Sequence, residues 1–527
     1  MMNLEAMPIL EGLLEYETRN RLRFHMPGHK GKGEGLEELD FIKEHLYAFD
    51  LTEVEGTDSL HAPKEMIARA QERLAEAYGA VESRFLVNGS TSGIYAAILG
   101  VTRREDLVLV QRNCHQSVHT ALEIGGLRPV YLFPQAAKLF GFASGVSLSE
   151  LRSVWEANPG ARAVILTYPS YYGSCCDLRS IADFCREKSM LLIVDEAHGA
   201  HFPFHPALPP SALACGADVS VNSFHKTLPA FTQTAVLHMG ESLRESCRAG
   251  IRRMLSVFQS SSPSYLFLAS MDAARWIMQS RGRRLLDELK KNIEDFERRM
   301  EKLPFIRLLS EGDLPGERKD FARLVIKTPL SGQELAGRLR ESRGVEAEMA
   351  EGNVILLIAS VMDEKEDFDR LAQALFEIFA GWEEKTDLSP ERGEKERSAR
   401  EEAGEKIQEK AGFRGEKSER ETSSKERKEK KSGEFPGTRL FPRVERILYA
   451  GEVSARESEE ILWKEAVGRV AAEKITPYPP GVPLLLPGER ISEEILFCLK
   501  KIKEEGRTVL QEYTEDGDRV RVLNVDL

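Results

Sequence analysis

The sequence predicts an α/β fold with a mostly parallel sheet, and three observations carry this. Short runs rich in Val, Ile and Leu recur between Leu107 and Met239 without the polar–apolar alternation of a half-solvated strand. Helical patterns, SLSELRSVWEAN and LRSIADFCREKS, separate some of them. After a long amphipathic stretch, roughly Met271 to Leu303, two further strand-like runs suggest a second, smaller α/β domain. In order, the first set of strands is LVLVQ from Leu107, PVYLF from Pro129, AVILTYP from Ala163, LLIVDEAHG from Leu191, ADVSVNS from Ala217 and TAVLHM from Thr234. The later runs are FARLVIKTP from Phe321 and NVILLIAS from Asn353.

A chain of 527 residues with 42% hydrophobic side chains has room for more than one core. Its formal charge of -12 argues against nucleic acid as the main partner and agrees with a cationic substrate. Seven cysteines form no CxxC pair or His-spaced metal set, which points to a reduced, cytoplasmic setting and no structural metal. The adjacent Cys175 and Cys176 read as small buried side chains. The first residues lack the basic-then-apolar pattern of a signal peptide, and no apolar run approaches a membrane span. From Glu383 to Glu434 nearly every residue is Glu, Lys, Arg, Ser or Gly. So few apolar groups cannot offset ordering entropy, which predicts a disordered or solvated helical insertion. Its interspersed acids and bases disfavour a nucleic-acid tail.

Four local patterns carry chemistry. In VNGSTSGIYAAIL a short apolar run ends in a Gly/Ser/Thr turn that opens a helix, and its N–H groups with the Ser90, Thr91 and Ser92 hydroxyls suit a phosphate. The plainer reading is an ordinary capped turn. In LLIVDEAHGAH, Asp195 ends an apolar strand where α/β ligands bind, with His198 just beyond; the plainer reading of Asp195 is a helix N-cap. DEAH would also suit a nucleotide-hydrolysis motif, but no GxxxxGK[ST] loop accompanies it. In SVNSFHKTLPAFTQTAVLH, Lys226 is the single formally charged residue of an apolar, hydroxyl-rich run, as expected of a desolvated lysine with a depressed pKa. In RNCHQSVHTAL, His115 follows a strand and could lie flat on an aromatic ligand or simply start a helix. A phosphate cradle, a flat packing partner, an acid and a lysine together specify pyridoxal 5'-phosphate.

The order of these groups matches the aminotransferase-like fold type, and longer segments extend the match. RLRFHMPGHKGKG from Arg21, EVEGTDSLHAPKEMI from Glu53, TYPSYYGSCCDL from Thr167, SSSPSYLFLASMDAAR from Ser260 and TPYPPGVPLLLPGE from Thr476 resemble the Orn/Lys/Arg decarboxylases. The resemblance implies an aminotransferase-like large domain with smaller C-terminal α/β domains. It divides the chain into an N-terminal arm (1–50), a cofactor-binding domain (51–300), a small domain (301–382), the insertion (383–434) and a decarboxylase-like C-terminal domain (435–527). It implies that Lys226 carries the cofactor, that Asp195 sits at its ring nitrogen and that His115 lies on the ring face. Ser90, Thr91 and Ser223 would hold the phosphate, with Ser261 contributed by a partner chain. His198 and His225 would line the ring and the reacting carbon, and Glu489 would approach the substrate or close the site. The family implies a homodimer or larger homo-oligomer with shared active sites, and places RFHMPGHKGKG in an arm near the interface. Ser170 stands where the family usually has Thr, Ser59 where a second acid is common, and Lys64-Glu65 where Glu-Gly is usual. The short start before PGHK resembles the biosynthetic type without a receiver-like domain.

These features imply decarboxylation of a basic L-amino acid. Arginine to agmatine, a step of polyamine biosynthesis, is the first choice, and lysine or ornithine are the alternatives. An aminotransferase on the same fold and a non-catalytic cofactor-binding regulator are the rival readings.

Overall fold

The first strand of the main sheet, Glu82–Leu86 (β1), is followed by Leu107–Gln111 (β2), Arg128–Leu132 (β3), Ala163–Thr167 (β4), Leu191–Asp195 (β5), Val219–Ser223 (β6) and Ala235–Met239 (β7). They form a seven-stranded sheet in the order β1-β7-β6-β5-β4-β2-β3. Every neighbouring pair is parallel except the two that involve β7. The exception has a local cause. Only Phe224–Thr234 joins β6 to β7, and a parallel crossover needs a longer, usually helical, connection. That short connection carries Lys226. The computed structural model describes residues 6–33, 35–380, 382, 442, 444–514 and 516–524. The charged stretch 383–434 lies outside the described residues.

The missing alternation in the strands follows from burial on both faces. Val108, Val110, Ile165 and Ile193 pack into one core cluster, while Leu109, Val164, Leu166 and Val194 pack into another. On the first side lies Gly89–Val101 (α1), an apolar helix that packs its Ile94 and Ile98 there. Gln116–Gly125 (α2) follows β2, and Phe224–Thr227 (α3) is the single turn that follows β6. The long amphipathic stretch is one helix, Tyr265–Met300 (α4), whose start is set by the Ser264 hydroxyl accepting from the Phe267 N–H at 3.3 Å.

The later strand-like runs form a second sheet. Arg307–Leu308 (β8), Arg323–Lys327 (β9), Met349–Glu351 (β10) and Val354–Ile358 (β11) run antiparallel in the order β8-β9-β11-β10. The C-terminal part holds two hairpin-like pairs. Ser458–Leu462 (β12) pairs with Arg519–Leu523 (β15), and Ile475–Tyr478 (β13) with Thr508–Gln511 (β14). Between β13 and β14 runs the helix Glu493–Glu504 (α5).

The segment RFHMPGHKGKG is anchored to the rest of this chain at several points. Leu22–Phe24 pairs in parallel with Val345–Ala347 of the small domain. Lys30 is buried, donates to the Ile358 carbonyl at 2.6 Å and the His25 carbonyl at 3.1 Å, and lies 3.6 Å from Asp363. Gly28 donates its N–H to the His225 carbonyl at 2.6 Å, and a Cβ there would stand 2.5 Å from the Leu228 carbonyl oxygen. Residues 22–32 therefore bind the lysine-bearing turn to the small domain within one chain. Asp58 gives EVEGTDSLHAPKEMI a similar local role, since its carboxylate accepts from the Lys64, Glu65 and Ile67 N–H groups at 2.8–3.2 Å.

Candidate active site

A cavity of about 1540 Å³ opens at the carboxyl ends of the main strands, where open α/β sheets bind ligands. Asp195, the last residue of β5, and Lys226, in α3 just after β6, both reach it. Both are buried, and burial pushes the Asp195 carboxyl up and the Lys226 amine down, each opposed by the charge of the other. Asp195 accepts the Ala197 N–H at 3.2 Å. Lys226 Nζ lies 3.0 Å from His198 Nε2.

Ser90 and Thr91 line the same cavity from the first turn of α1. No side chain caps that helix start, because Asn88 spends its side-chain oxygen on the Ser260 N–H at 3.0 Å. An uncapped helix N-terminus beside hydroxyls is an anion site by construction. Ser223, fully buried behind the cavity wall, donates to the Ser90 hydroxyl at 2.9 Å and so orients it. Ser92 points away: its hydroxyl donates to the Gly89 carbonyl at 2.8 Å, so the hydroxyls that reach the cavity here are those of Ser90 and Thr91. Ser261 is exposed and does not line the cavity in this chain, although its neighbour Ser260 touches Asn88 at the cradle.

His115 caps α2, its Nδ1 accepting from the Ser117 N–H at 3.2 Å, so the capping and the cavity-lining readings hold together. Burial and the Lys226 charge lower its pKa to about 4, leaving a neutral, flat ring. Gly481 lies against that ring; its φ is +83°, and a Cβ would stand 3.4 Å from Nε2. The C-terminal part thus closes over the histidine, with the Gly481 carbonyl accepting the Gln116 N–H at 3.0 Å. His225 reaches the cavity with Nδ1 2.9 Å from the Thr234 carbonyl, and burial lowers its pKa to about 4. Its Nδ1 therefore carries the proton and donates.

Of the two roles expected of Glu489, approaching the substrate or closing the site, its place in this chain agrees with the second. Its carboxylate is buried outside the cavity wall, accepting from Arg112 at 3.3 Å and from the Leu486 N–H at 2.9 Å. Arg112 also donates to the Pro483 and Leu484 carbonyls, so this cluster pins the C-terminal segment to the strand β2. Glu489→Ala leaves the buried Arg112 without its carboxylate, and a loss of about 3 kcal/mol or more of stability is expected. Chemical denaturation checks this; an unchanged midpoint together with a raised KM would return Glu489 to the substrate.

Other cavity residues escaped sequence reasoning because they come from remote elements. Glu348, before β10, accepts from the Tyr171 hydroxyl at 2.5 Å and the Met26 N–H at 3.0 Å. Glu351 accepts from the Tyr172 hydroxyl at 2.6 Å and pairs with Arg507. Glu493 and Glu494, at the start of α5, and Glu505, just after it, complete an acidic wall. Lys226, Lys501 and Arg507 are the lysines and arginines among the residues lining the cavity. With the histidines neutral, the acids outnumber these cations, and the cavity favours a positively charged ligand.

The order of the strands, the lysine after β6 and the acid after β5 define the aminotransferase-like class of pyridoxal-phosphate enzymes. Comparison with known proteins narrows this. A profile described as Orn/Lys/Arg decarboxylase, major domain, matches residues 7–313, and its C-terminal domain counterpart matches residues 449–508. This chain belongs to the Orn/Lys/Arg decarboxylase family. It is 32% identical over 510 residues to an arginine decarboxylase of Bacillus subtilis, covering 95% of this chain and 94% of that one. An arginine decarboxylase of Halalkalibacterium halodurans is 31% identical over 99% of this chain and 98% of its own. The fold is also that of a Francisella novicida lysine decarboxylase, with a TM-score of 0.71 at 20% identity, covering 92% of this chain and 76% of that chain. The family makes the protein a carboxy-lyase that uses pyridoxal phosphate, and so sets aside the aminotransferase and non-catalytic readings. No described helix is long and apolar enough to cross a membrane.

Proposed function

We propose that this chain decarboxylates L-arginine to agmatine, and that Lys226, Asp195, His115, His225, His198 and the cradle of Ser90 and Thr91, backed by Ser223, carry the reaction. The observation that supports arginine above the other basic amino acids is the near full-length similarity to arginine decarboxylases. The acidic cavity wall agrees with it: a carboxylate can take a planar guanidinium through two parallel hydrogen bonds, a geometry an ammonium cannot match.

The donor set fits pyridoxal phosphate. The open start of α1 and the Ser90 and Thr91 hydroxyls suit its phosphate, Asp195 suits its pyridine nitrogen, and Lys226 suits its aldehyde. When bound, the cofactor supplies an aldehyde for the substrate amine and a ring that accepts the electron pair left behind as CO₂ departs. The protein's residues do the rest. Asp195 holds a proton at the ring nitrogen. His115, being uncharged, packs on the ring face without competing for its charge. Burial favours the amine form of Lys226, which can attack and, having taken the proton of the substrate amine, return one to Cα; His225, its own proton held by the Thr234 carbonyl, lines the reacting carbon as an acceptor. The C-terminal segment around Gly481 shuts water away from the ring.

We also infer a homo-oligomer with shared sites, supported by the exposed Ser261 beside the cradle and by exposed apolar residues such as Ile9, Leu13 and Tyr47 near the N-terminus. Cytoplasmic action is supported by seven free cysteines.

Parallel assays of CO₂ and amine release on arginine, lysine and ornithine test the substrate. Arginine should lead in kcat/KM by about tenfold or more, the worth of one good charged hydrogen bond. Lysine or ornithine leading would refute the substrate, and keto-acid release without CO₂ would refute the reaction.

A further inference from the structure

Arg323 opens β9, far in sequence from the lysine turn, yet its guanidinium reaches the back of the site. Its Nη2 donates to His198 Nδ1 at 3.1 Å and to the His198 carbonyl at 3.4 Å. The side chain is fully buried, and its Nε and Nη1 have no hydrogen-bond partner among the described residues. It makes no hydrogen bond to the nearby Asp320, whose Oδ1 accepts from His201 at 3.1 Å and from the Ala322 N–H at 2.9 Å; that carboxylate offers it only a neighbouring charge. The chain makes room for this arginine. Gly173 has φ +87°, and a Cβ on it would stand 2.7 Å from Arg323 Cβ and Cγ. Burying a guanidinium with two of its nitrogens unbonded is costly, and packing alone does not account for it.

A guanidinium has only donors. The nitrogen it meets, Nδ1 of His198, must therefore present a lone pair. A neutral imidazole that accepts at Nδ1 carries its proton on Nε2, and Nε2 is the atom 3.0 Å from Lys226 Nζ. The hydrogen bond then runs from His198 to the lysine, which must accept it as an uncharged amine. We propose that Arg323 is a positioning residue: it fixes His198 as the Nε2–H tautomer, so that a proton donor always faces the amine of Lys226. This rests on the assignment of Lys226 as the reacting lysine.

The charges around the pair agree. His198 faces Lys226, Arg323, His225 and His115, with the Tyr171 ring edge-on at 5.1 Å between centroids. Burial, with the Arg323 charge beside it, holds His198 uncharged, so an imidazolium that would set donor against donor is excluded. Lys226 in turn faces Asp195, Glu348 and Arg323. Without Arg323 the ring is free to place its proton on Nδ1, leaving Nε2 as an acceptor that favours a protonated lysine.

The test is ¹⁵N NMR of the full-length holoenzyme with labelled histidine, using His198→Asn to assign the signal. The wild type should show the Nε2–H pattern for His198 across the pH range of stability. Arg323→Met should shift it toward Nδ1–H and lower kcat about tenfold with little change in KM, while Arg323→Lys, which keeps a donor, should restore both. An Nδ1–H pattern in the wild type overturns the proposal even if no variant folds. So does Arg323→Met with the tautomer unchanged and KM raised many-fold, the result expected if Arg323 instead gripped the substrate carboxylate. Because the tautomer is read without turnover, its outcome is separable from that of the decarboxylation assay.

Discussion

Lys226→Ala lowers turnover on the preferred basic amino acid by about 10³-fold or more, the range expected when a reacting amine is removed. Two other lysines could be imagined in its place, and the geometry disfavours both. Lys30 is buried, but its amine is held by the Ile358 and His25 carbonyls beside Asp363. Lys501 lines the cavity from α5, on the C-terminal wall rather than at the ends of the main strands. Lys226 alone combines burial, a neighbouring Asp195 and a position beside the phosphate cradle. The alanine variant should fold, because burial already favours the uncharged form and no carboxylate is left stranded in an ion pair. Borohydride reduction of the wild-type holoenzyme, followed by peptide mapping, should find the cofactor on Lys226. A label on Lys30 or Lys501, or an alanine variant with near-normal turnover, would sink the assignment.

The main sheet was legible because its strands are covered on both faces, so Val110, Ile165 and Ile193 on one side and Leu109, Val164 and Val194 on the other all had to be apolar. Lys226 was legible for the same reason: a charge in such a run needs a purpose. Arg323 carries a weaker form of that signal in FARLVIKTP, a cation entering an apolar strand that ends in Lys327, and it passed unread because its partner His198 lies 125 residues away, beyond the main sheet's fifth strand. Glu348 and Glu351 sit in a stretch with several acids, where composition cannot separate a cavity carboxylate from a solvated one. The packing of the PGHK segment was not legible in sequence: a glycine can mean freedom or tightness, and Gly28 is small because the Leu228 backbone leaves no space for a side chain. Glu489 was legible only in part. A motif marked it as important, but only the fold reveals that its partner is Arg112 rather than a ligand.

Asp195→Asn should lower turnover by about 100-fold while leaving the fold and cofactor binding in place. The substitution keeps the shape of the side chain and an oxygen to accept the Ala197 N–H, so the turn after β5 survives. It removes a buried carboxylate that burial already penalises, so thermal stability should hold or rise slightly. What it cannot keep is the charge that holds a proton on the ring nitrogen. The loss then falls on kcat rather than on affinity for the amino acid. Absorbance of the bound cofactor and kcat measured on the same preparation check both halves of the expectation. The variant also separates the two readings that the sequence left open at this position. Asparagine is as good a helix cap as aspartate. An acid that did nothing but cap the turn at Ala197 would give way to Asn with full turnover, so normal kcat in this variant would leave Asp195 a structural residue and the ring nitrogen without its assigned partner.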